Sequence, residues 1–175
     1  MIMSKQEELM IFVDHNNLFH NFQKIKRKFD YLKLMNLITQ DRKLIQMIRY
    51  SGTEYTRNKR RIYKLKRFEA ALNKLGIISK TIFIKILANG TRIEKEIDVK
   101  LATDMVAFGF KDRYDTAALV SGDGDFRPAI DWIKKLNKNA EVWTFRDSLS
   151  RRIKNVVDME NIHFLDDHLK EIERK

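Results

Sequence analysis

Two aspartates, Asp123 and Asp125, stand one residue apart in the Gly-rich segment Ser121-Gly-Asp-Gly-Asp-Phe126. Their charges repel at this separation and packing requires neither of them, so a bound cation is the natural explanation. An ordinary turn is the alternative, because Gly, Asp and Ser are common between a strand and a helix and Asp125 could cap the helix. The segment alone favours a functional site only slightly.

Two further aspartates occupy comparable places. Asp14 directly follows the apolar run Leu9–Val13, and Asp98 precedes a helical pattern that starts at Val99. Each has a structural alternative, because Asp14 could be a helix N-cap and the helix dipole favours an acid at Asp98.

An acidic centre would form if these residues converged. It would offer only oxygen ligands, which suit one or two hard divalent ions such as Mg²⁺ or Mn²⁺. Such an ion lowers the pKa of its bound water and holds a phosphodiester oxygen as the bond breaks. Asn17, close after Asp14, could orient a phosphate or that water. The candidate metal ligands are Asp14, Asp98, Asp123 and Asp125.

The elements that would position these acids are buried strands followed by amphipathic helices. Thr116–Val120 is a short apolar run typical of a strand buried on both faces, and Phe126, Ile130, Ile133 and Leu136 suit one face of a helix. In open α/β sheets, ligands bind at the carboxyl ends of the strands. The pattern therefore predicts that the acidic turns lie at one edge of a sheet.

The remaining pattern alternates strands with helices and predicts one domain over residues 1–175. A doubly wound, mostly parallel α/β sheet follows from this alternation. Ser51-Gly52 is predicted to close a strand, Asn89-Gly90 to form a hairpin turn before a return strand at 91–93, and Asp147-Ser148 to cap a helix. Further strands are predicted at 9–13, 44–50, 77–87, 140–145 and 162–165. Helices are predicted over the amphipathic stretch with Leu18, Phe22 and Ile25, at 56–75, from 99, and at 126–136, 147–157 and 166–175.

Composition excludes several classes of protein. There is no cysteine, which excludes disulfides and thiolate metal sites and favours a reducing cytoplasm. The sequence has no secretory signal pattern and no apolar run near the roughly 20 residues that span a bilayer. We therefore expect a cytoplasmic protein without a membrane partner.

The charge is strongly basic, with 35 Lys and Arg against 24 Asp and Glu and a net charge of +11. Such an excess favours a polyanionic partner, of which nucleic acid is the commonest in a cell. The densest cluster lies on the predicted helix 56–75, although a solvated helix face is the usual fate of such a run. The candidate nucleic-acid-binding residues are Arg57, Lys59, Arg60, Arg61, Lys64 and Arg67.

Three segments, taken together and in this order, resemble the NYN domains, the LabA-like members of the PIN-like ribonuclease superfamily. They are Phe12-Val-Asp14-His-Asn-Asn17-Leu-Phe19, Lys95-Glu-Ile-Asp98-Val-Lys-Leu-Ala-Thr-Asp104 and Leu119-Val-Ser121-Gly-Asp123-Gly-Asp125-Phe126. The resemblance covers about residues 9–165. Two departures, at His15 and Glu96 where the family often has small residues, affect the expected shape of the site entrance.

The resemblance implies a three-layer α/β/α sandwich of the PIN-like type and cleavage of RNA that depends on Mg²⁺ or Mn²⁺. It assigns the acidic centre to the four aspartates, with Asn17 beside them, and places Ser121, Asp104 and Lys95 in a second tier. The alternative is a catalytically silent nucleic-acid-binding or scaffold module with the same fold. A phosphatase of the haloacid type is disfavoured, because that class carries its Asp-x-Asp pair on the first strand. A homodimer is left open.

Overall fold

The structure, a computed structural model, describes residues 5–54, 56–86, 92–93 and 95–174. In this part of the chain, strands and helices alternate as the sequence predicts. The strands are β1 (Glu8–Asp14), β2 (Lys43–Glu54), β3 (Ile77–Ile86), β4 (Arg92–Ile93), β5 (Thr116–Val120), β6 (Asn139–Thr144) and β7 (Ile162–Phe164). The helices are α1 (His15–Lys24), α2 (Tyr31–Thr39), α3 (Lys59–Lys74), α4 (Lys95–Phe110), α5 (Arg127–Lys135), α6 (Arg151–Lys154) and α7 (Leu169–Ile172).

The strands form a single sheet in the order β4-β3-β2-β1-β5-β6-β7. All neighbouring strands are parallel except β4, which runs antiparallel to β3. From β1 the chain builds outward through β2 and β3, and it then returns to place β5 on the other side of β1. The strand order therefore reverses between β1 and β5, and ligands of open α/β sheets bind at such a switch point.

Each face of the sheet is covered by helices. Along β1, Leu9, Ile11 and Val13 pack into one core with α1, α2, α3 and α7, whereas Met10 and Phe12 pack into a second core with α4, α5 and α6. This alternation buries both faces of the strand, as expected for a parallel sheet. The predicted three-layer α/β/α sandwich is confirmed. In the described part of the chain, no helix combines the length and the apolar character needed to cross a bilayer.

Three predicted boundaries are wrong. β2 continues through Ser51-Gly52 to Glu54, because residues 51–54 still pair with residues 81–84 of β3. α3 begins at Lys59 rather than at residue 56, since the side chain of Asn58 accepts the first free backbone N–H groups. α6 is capped by the side chain of Ser150, and the predicted cap at 147–148 lies in a separate 3-10 turn.

The apolar residues of α3 and its C-terminal end are mostly exposed. Leu72 is its buried residue, whereas Ile62, Phe68 and Leu75 are between 36% and 39% exposed. Gly76 follows the end of the helix with φ +78°. Only one edge of this basic helix thus packs on the sheet.

Two other segments differ from expectation. α2 has no counterpart among the predicted elements, although Asp30 caps it and Tyr31, Leu34 and Ile38 are buried. The predicted terminal helix divides into a 3-10 turn at Leu165–His168 and the short α7. The return strand is confirmed at Arg92–Ile93, whereas the predicted turn at Asn89-Gly90 lies outside the described residues.

Candidate active site

Asp14 ends the central strand and starts α1. Its side chain is buried, and both carboxylate oxygens accept hydrogen bonds. Oδ1 accepts the backbone N–H of Asn17 at 3.1 Å, and Oδ2 accepts the hydroxyl of Ser121 at 2.9 Å. Asp14 is therefore an N-cap, as the structural alternative predicted, and it is also joined to the acidic turn that follows the neighbouring strand.

The turn that follows β5 is held by side-chain contacts with its own backbone. The Ser121 hydroxyl oxygen accepts the N–H of Asp123 at 3.2 Å, and Oδ1 of Asp123 accepts the N–H of Asp125 at 2.9 Å. β1 and β5 are paired with Val13 opposite Val120, so Asp14 and Ser121 leave the sheet side by side. The pairing explains why two residues far apart in sequence meet at this edge.

The electrostatics of this pair of turns are unfavourable for two ionised acids. Burial raises the pKa of Asp14 above its ordinary value, and the negative charge of Asp123 raises it further. The hydrogen bonds from Asn17 and Ser121 oppose this rise only in part. A cation between the two carboxylates would relieve their repulsion and favour the ionised form of Asp14.

The other two aspartates are less closely joined to this pair. Asp125 is exposed, and its Oδ1 accepts a hydrogen bond from Nη1 of Arg152 at 2.8 Å. Asp98 is half-buried in the first turn of α4, a helix that contacts β1, β2 and the turn at 124–126. Among the described residues, no group of three or more acidic or His side chains lies close enough together to hold a metal ion. The four-aspartate centre stays a prediction.

The chemistry of the donors nevertheless fits a hard divalent cation. Asp14 and Asp123 offer carboxylate oxygens, the ligands that Mg²⁺ and Mn²⁺ prefer, and their mutual repulsion is what such an ion removes. The described part of the site contains no thiolate, since the chain has no cysteine. A soft metal is therefore a poorer match than Mg²⁺ or Mn²⁺.

A chain of amides links α1 to the loop on the far side of the acidic turn. Asn17 Oδ1 accepts a hydrogen bond from Nδ2 of Asn21 at 3.3 Å, and Asn21 Oδ1 accepts one from the Ser148 hydroxyl at 2.5 Å. Asn21 is buried and was missed by the sequence analysis. Its position four residues after Asn17, on the same face of a helix, was the available signal.

Asp104 lies in a separate polar cluster. It accepts hydrogen bonds from the Tyr50 hydroxyl at 2.8 Å, Lys80 Nζ at 2.6 Å and Lys100 Nζ at 2.8 Å. Burial alone would raise the pKa of Asp104, but these three donors lower it overall. The cluster joins β2, β3 and α4. Lys95, the other residue named from this segment, is the first residue of α4.

The basic residues of α3 lie near the same edge of the sheet. β2 ends at Glu54 and α3 begins at Lys59, so the N-terminal half of the helix starts at the carboxyl edge where Asp14 also lies. All six predicted nucleic-acid-binding side chains are exposed: Arg57, Lys59, Arg60, Arg61, Lys64 and Arg67. Their solvent exposure leaves them accessible to a polyanion.

Comparison with known proteins identifies the family. The profile of the NYN domain matches residues 8–167, which is nearly the whole chain. The chain belongs to the NYN domain family. NYN domains are a PIN-like nuclease family, so the predicted family and the coarse assignment to nuclease-type proteins are both supported.

Two individual proteins are similar to this NYN domain. The low amplitude and bright protein LabA of Synechococcus elongatus is 28% identical over 161 residues, which cover 88% of this chain and 82% of LabA. A crystal structure of a protein of unknown function from Vibrio parahaemolyticus superposes with a TM-score of 0.78 at 21% identity, covering 99% of this chain and 100% of that one. The second similarity concerns the fold alone.

Proposed function

We propose that this NYN domain is a ribonuclease that cleaves RNA phosphodiester bonds with Mg²⁺ or Mn²⁺ bound at its acidic centre. The observation that carries the proposal is the pair of mutually repelling carboxylates, Asp14 and Asp123, joined by Ser121 at the switch point of the sheet. Capping explains each carboxylate by itself but not their proximity, which a cation makes favourable. The proposed ligands are Asp14, Asp98, Asp123 and Asp125.

Each residue of the site has a role that follows from its contacts. Ser121 and Asn17 hold the two oxygens of Asp14 in place, so that this carboxylate is preorganised. When bound, the metal ion supplies a water of lowered pKa and holds a phosphodiester oxygen. Arg152, already beside Asp125, is placed to balance negative charge where a phosphate enters.

The basic half of α3 supplies the binding surface in this proposal. Its exposed Lys and Arg side chains attract the phosphate backbone, and most of the affinity of such a surface is electrostatic. The chain need not close on the substrate for this interaction, because the cationic side chains already face solvent.

The proposal is tested by metal binding and by cleavage measured on the same preparations. Mn²⁺ at about 100 times its dissociation constant should stabilise the fold by about 2.7 kcal/mol, measured by thermal melting. Labelled single-stranded RNA should be cut in Mg²⁺ or Mn²⁺ and not in EDTA. Asp123→Asn should abolish both responses, whereas Glu160→Gln, which removes an exposed acid elsewhere, should retain them.

Two results would contradict the proposal. One is a melting temperature that does not change when Mg²⁺ or Mn²⁺ is added at millimolar concentration. The other is an Asp123→Asn variant that cuts RNA as fast as the parent, with contaminating nuclease excluded by purification of both proteins in parallel.

A second candidate function is a silent RNA-binding module. It is favoured by the ion pair between Asp125 and Arg152 and by the lack, among the described residues, of three carboxylates grouped around one point. Such a module would bind the strand in the same assay and leave it uncut at every metal concentration.

A further inference from the structure

An aromatic cavity of about 410 Å³ opens between α1, α2 and α3. Its walls include the rings of Phe19, Phe29, Tyr31 and Phe68, and most of its lining is apolar. Phe19 and Phe68 stand at its mouth with 43% and 38% of their surfaces exposed. Clefts of this size and character are typical of sites for small ligands or for parts of larger ones.

The cavity lies directly beside the acidic centre. Its lining includes His15, the residue after Asp14, and the Nδ1 atom of His15 is 2.7 Å from the Tyr31 hydroxyl. His15 and Phe19 are neighbours on α1, with ring centroids 5.5 Å apart. Phe19 follows Asp14 by five residues, so the mouth of the cavity lies about 7.5 Å along α1 from the acidic centre.

The positively charged side chain of Arg49 is buried behind the cavity wall. Arg49 is only 3% exposed, and its guanidinium donates hydrogen bonds to the Tyr31 hydroxyl at 3.1 Å and to Ser79 Oγ at 2.9 Å. It also lies 5.3 Å from the centroid of the Phe68 ring. Hydroxyl groups and an aromatic ring thus contact this guanidinium, and its positive charge favours an anionic ligand nearby.

The rim of the cavity is cationic. Lys28 and Arg174 line one edge, where the N–H of Arg174 donates to the carbonyl oxygen of Lys28 at 2.9 Å. On α3, Arg60 and Lys64 precede Phe68 by eight and four residues, so they share its helix face. The carboxylate in the lining, Asp30, is occupied in capping α2.

We infer that this cavity holds an unpaired nucleobase of the RNA strand, stacked against Phe19 and Phe68, while the adjoining phosphates lie on the cationic rim. Aromatic rings combined with a basic track are the usual means of binding single strands without sequence preference. Bases in a duplex are stacked and paired, so they could not enter. The inference rests on the proposed function for the identity of the polymer and adds that the protein selects single strands.

The test compares two strands of equal length, one with bases and one abasic, both labelled with fluorescein. Binding is measured by anisotropy in EDTA, so that nothing is cut, at one fixed salt concentration. The wild type should bind the strand with bases more tightly, by roughly 5- to 160-fold for each stacked base. Phe19→Ala and Phe68→Leu should bring this ratio towards one and leave the affinity for the abasic strand unchanged. Phe68→Leu keeps apolar volume in case Phe68→Ala does not fold.

The matched control is Phe110→Ala, which removes a more exposed ring at the end of α4, on the other face of the sheet. It should keep the wild-type ratio. Melting temperatures of all variants establish that they are folded.

Three results would overturn the inference. They are equal binding of both strands by the wild type, a ratio that survives both substitutions, and a dimer in sedimentation that dissociates in Phe19→Ala, which would assign the cavity to a second copy of the chain. Failure of the proposed function looks different. RNA that is bound through its bases but left uncut in Mg²⁺ would contradict the proposed nuclease function and support the base-binding cavity. Cleavage of RNA whose binding does not depend on its bases would support the nuclease function and contradict the base-binding cavity.

Discussion

Gly122→Ala should damage the acidic turn through one added methyl group. A Cβ on Gly122 would overlap the backbone carbonyl oxygen of Ser148 and would lie 2.5 Å from Thr144 Oγ1. The turn cannot move away from Ser148 easily, because the carbonyl oxygen of Gly122 accepts a hydrogen bond from the N–H of Ser150 at 2.9 Å. Relief would require the turn to move away from the loop at 148–150, and Ser121 and Asp123 would move with it.

The magnitude follows from what the methyl group meets. Extra atoms in a packed site cost about 1–3 kcal/mol of unfolding free energy, and occasionally more. Backbone atoms shift less readily than the ends of flexible side chains, so we expect Gly122→Ala to lower the free energy of unfolding by about 3 kcal/mol. Gly76→Ala is the matched control. Gly76 has φ +78° and nothing within 4 Å of an added Cβ, so its loss should come from backbone strain alone, at about 1–2 kcal/mol.

Urea denaturation of the metal-free proteins at pH 7.5 measures both losses, and thermal melting with Mn²⁺ measures the metal response. Gly122→Ala should be the less stable variant and should lose most of its stabilisation by Mn²⁺, whereas Gly76→Ala should keep the full response. A loss below about 1 kcal/mol in Gly122→Ala with an unchanged metal response would refute the close approach on which this argument depends.

Three further predictions concern other parts of the molecule. Neutralising Arg60 and Arg61 to Gln should weaken RNA binding and flatten the slope of log affinity against log salt by about 0.7 per lost contact, while the cleavage rate at saturating RNA stays the same. Asp104→Asn should lower the free energy of unfolding by about 1.5–2 kcal/mol at pH 7, because its charged hydrogen bonds involve partly exposed lysines. Because folding lowers the pKa of Asp104, this difference should begin to shrink below about pH 4 and be lost as the pH falls through the lower pKa of the folded state, which urea denaturation across pH would show. Burial lowers the pKa of His15 to about 3, so the unfolded chain takes up a proton first, and this residue should lower wild-type stability by about 1.4 kcal/mol between pH 7.5 and 5.5. The same series on metal-free His15→Gln should show a loss that is smaller by this amount.

The strands were predictable because buried parallel strands are short apolar runs that polar turns interrupt. β5 was predicted at its observed bounds, and β1 within a residue at each end. α2 was missed for a physical reason. Apolar residues such as Leu32, Met35 and Leu37 surround the helix on several sides, so its sequence shows no clear polar stripe.

The contacts within the site could be predicted less well than its residues. The bond between Ser121 and Asp14 joins residues 107 apart in sequence, and it depends on β5 returning beside β1, which no local pattern specifies. The pairing of Arg152 with Asp125 likewise depends on where α6 packs. Asp104 shows the same limit, because its two lysines come from different elements.

Because the strand order reverses beside β1, the two halves of the chain contribute different parts of the molecule. β1, β2 and β3 pair in sequence, so the basic helix and most of the aromatic cavity can form before β5 is added. Pairing of β1 with β5 spans more than a hundred residues and belongs to the slower, long-range class of folding events. Under the proposed function, a chain in which only β1, β2 and β3 have paired would bind RNA and could not cut it. Substitutions in β5 or in the turn after it should therefore abolish the proposed cleavage and leave the proposed RNA-binding surface in place.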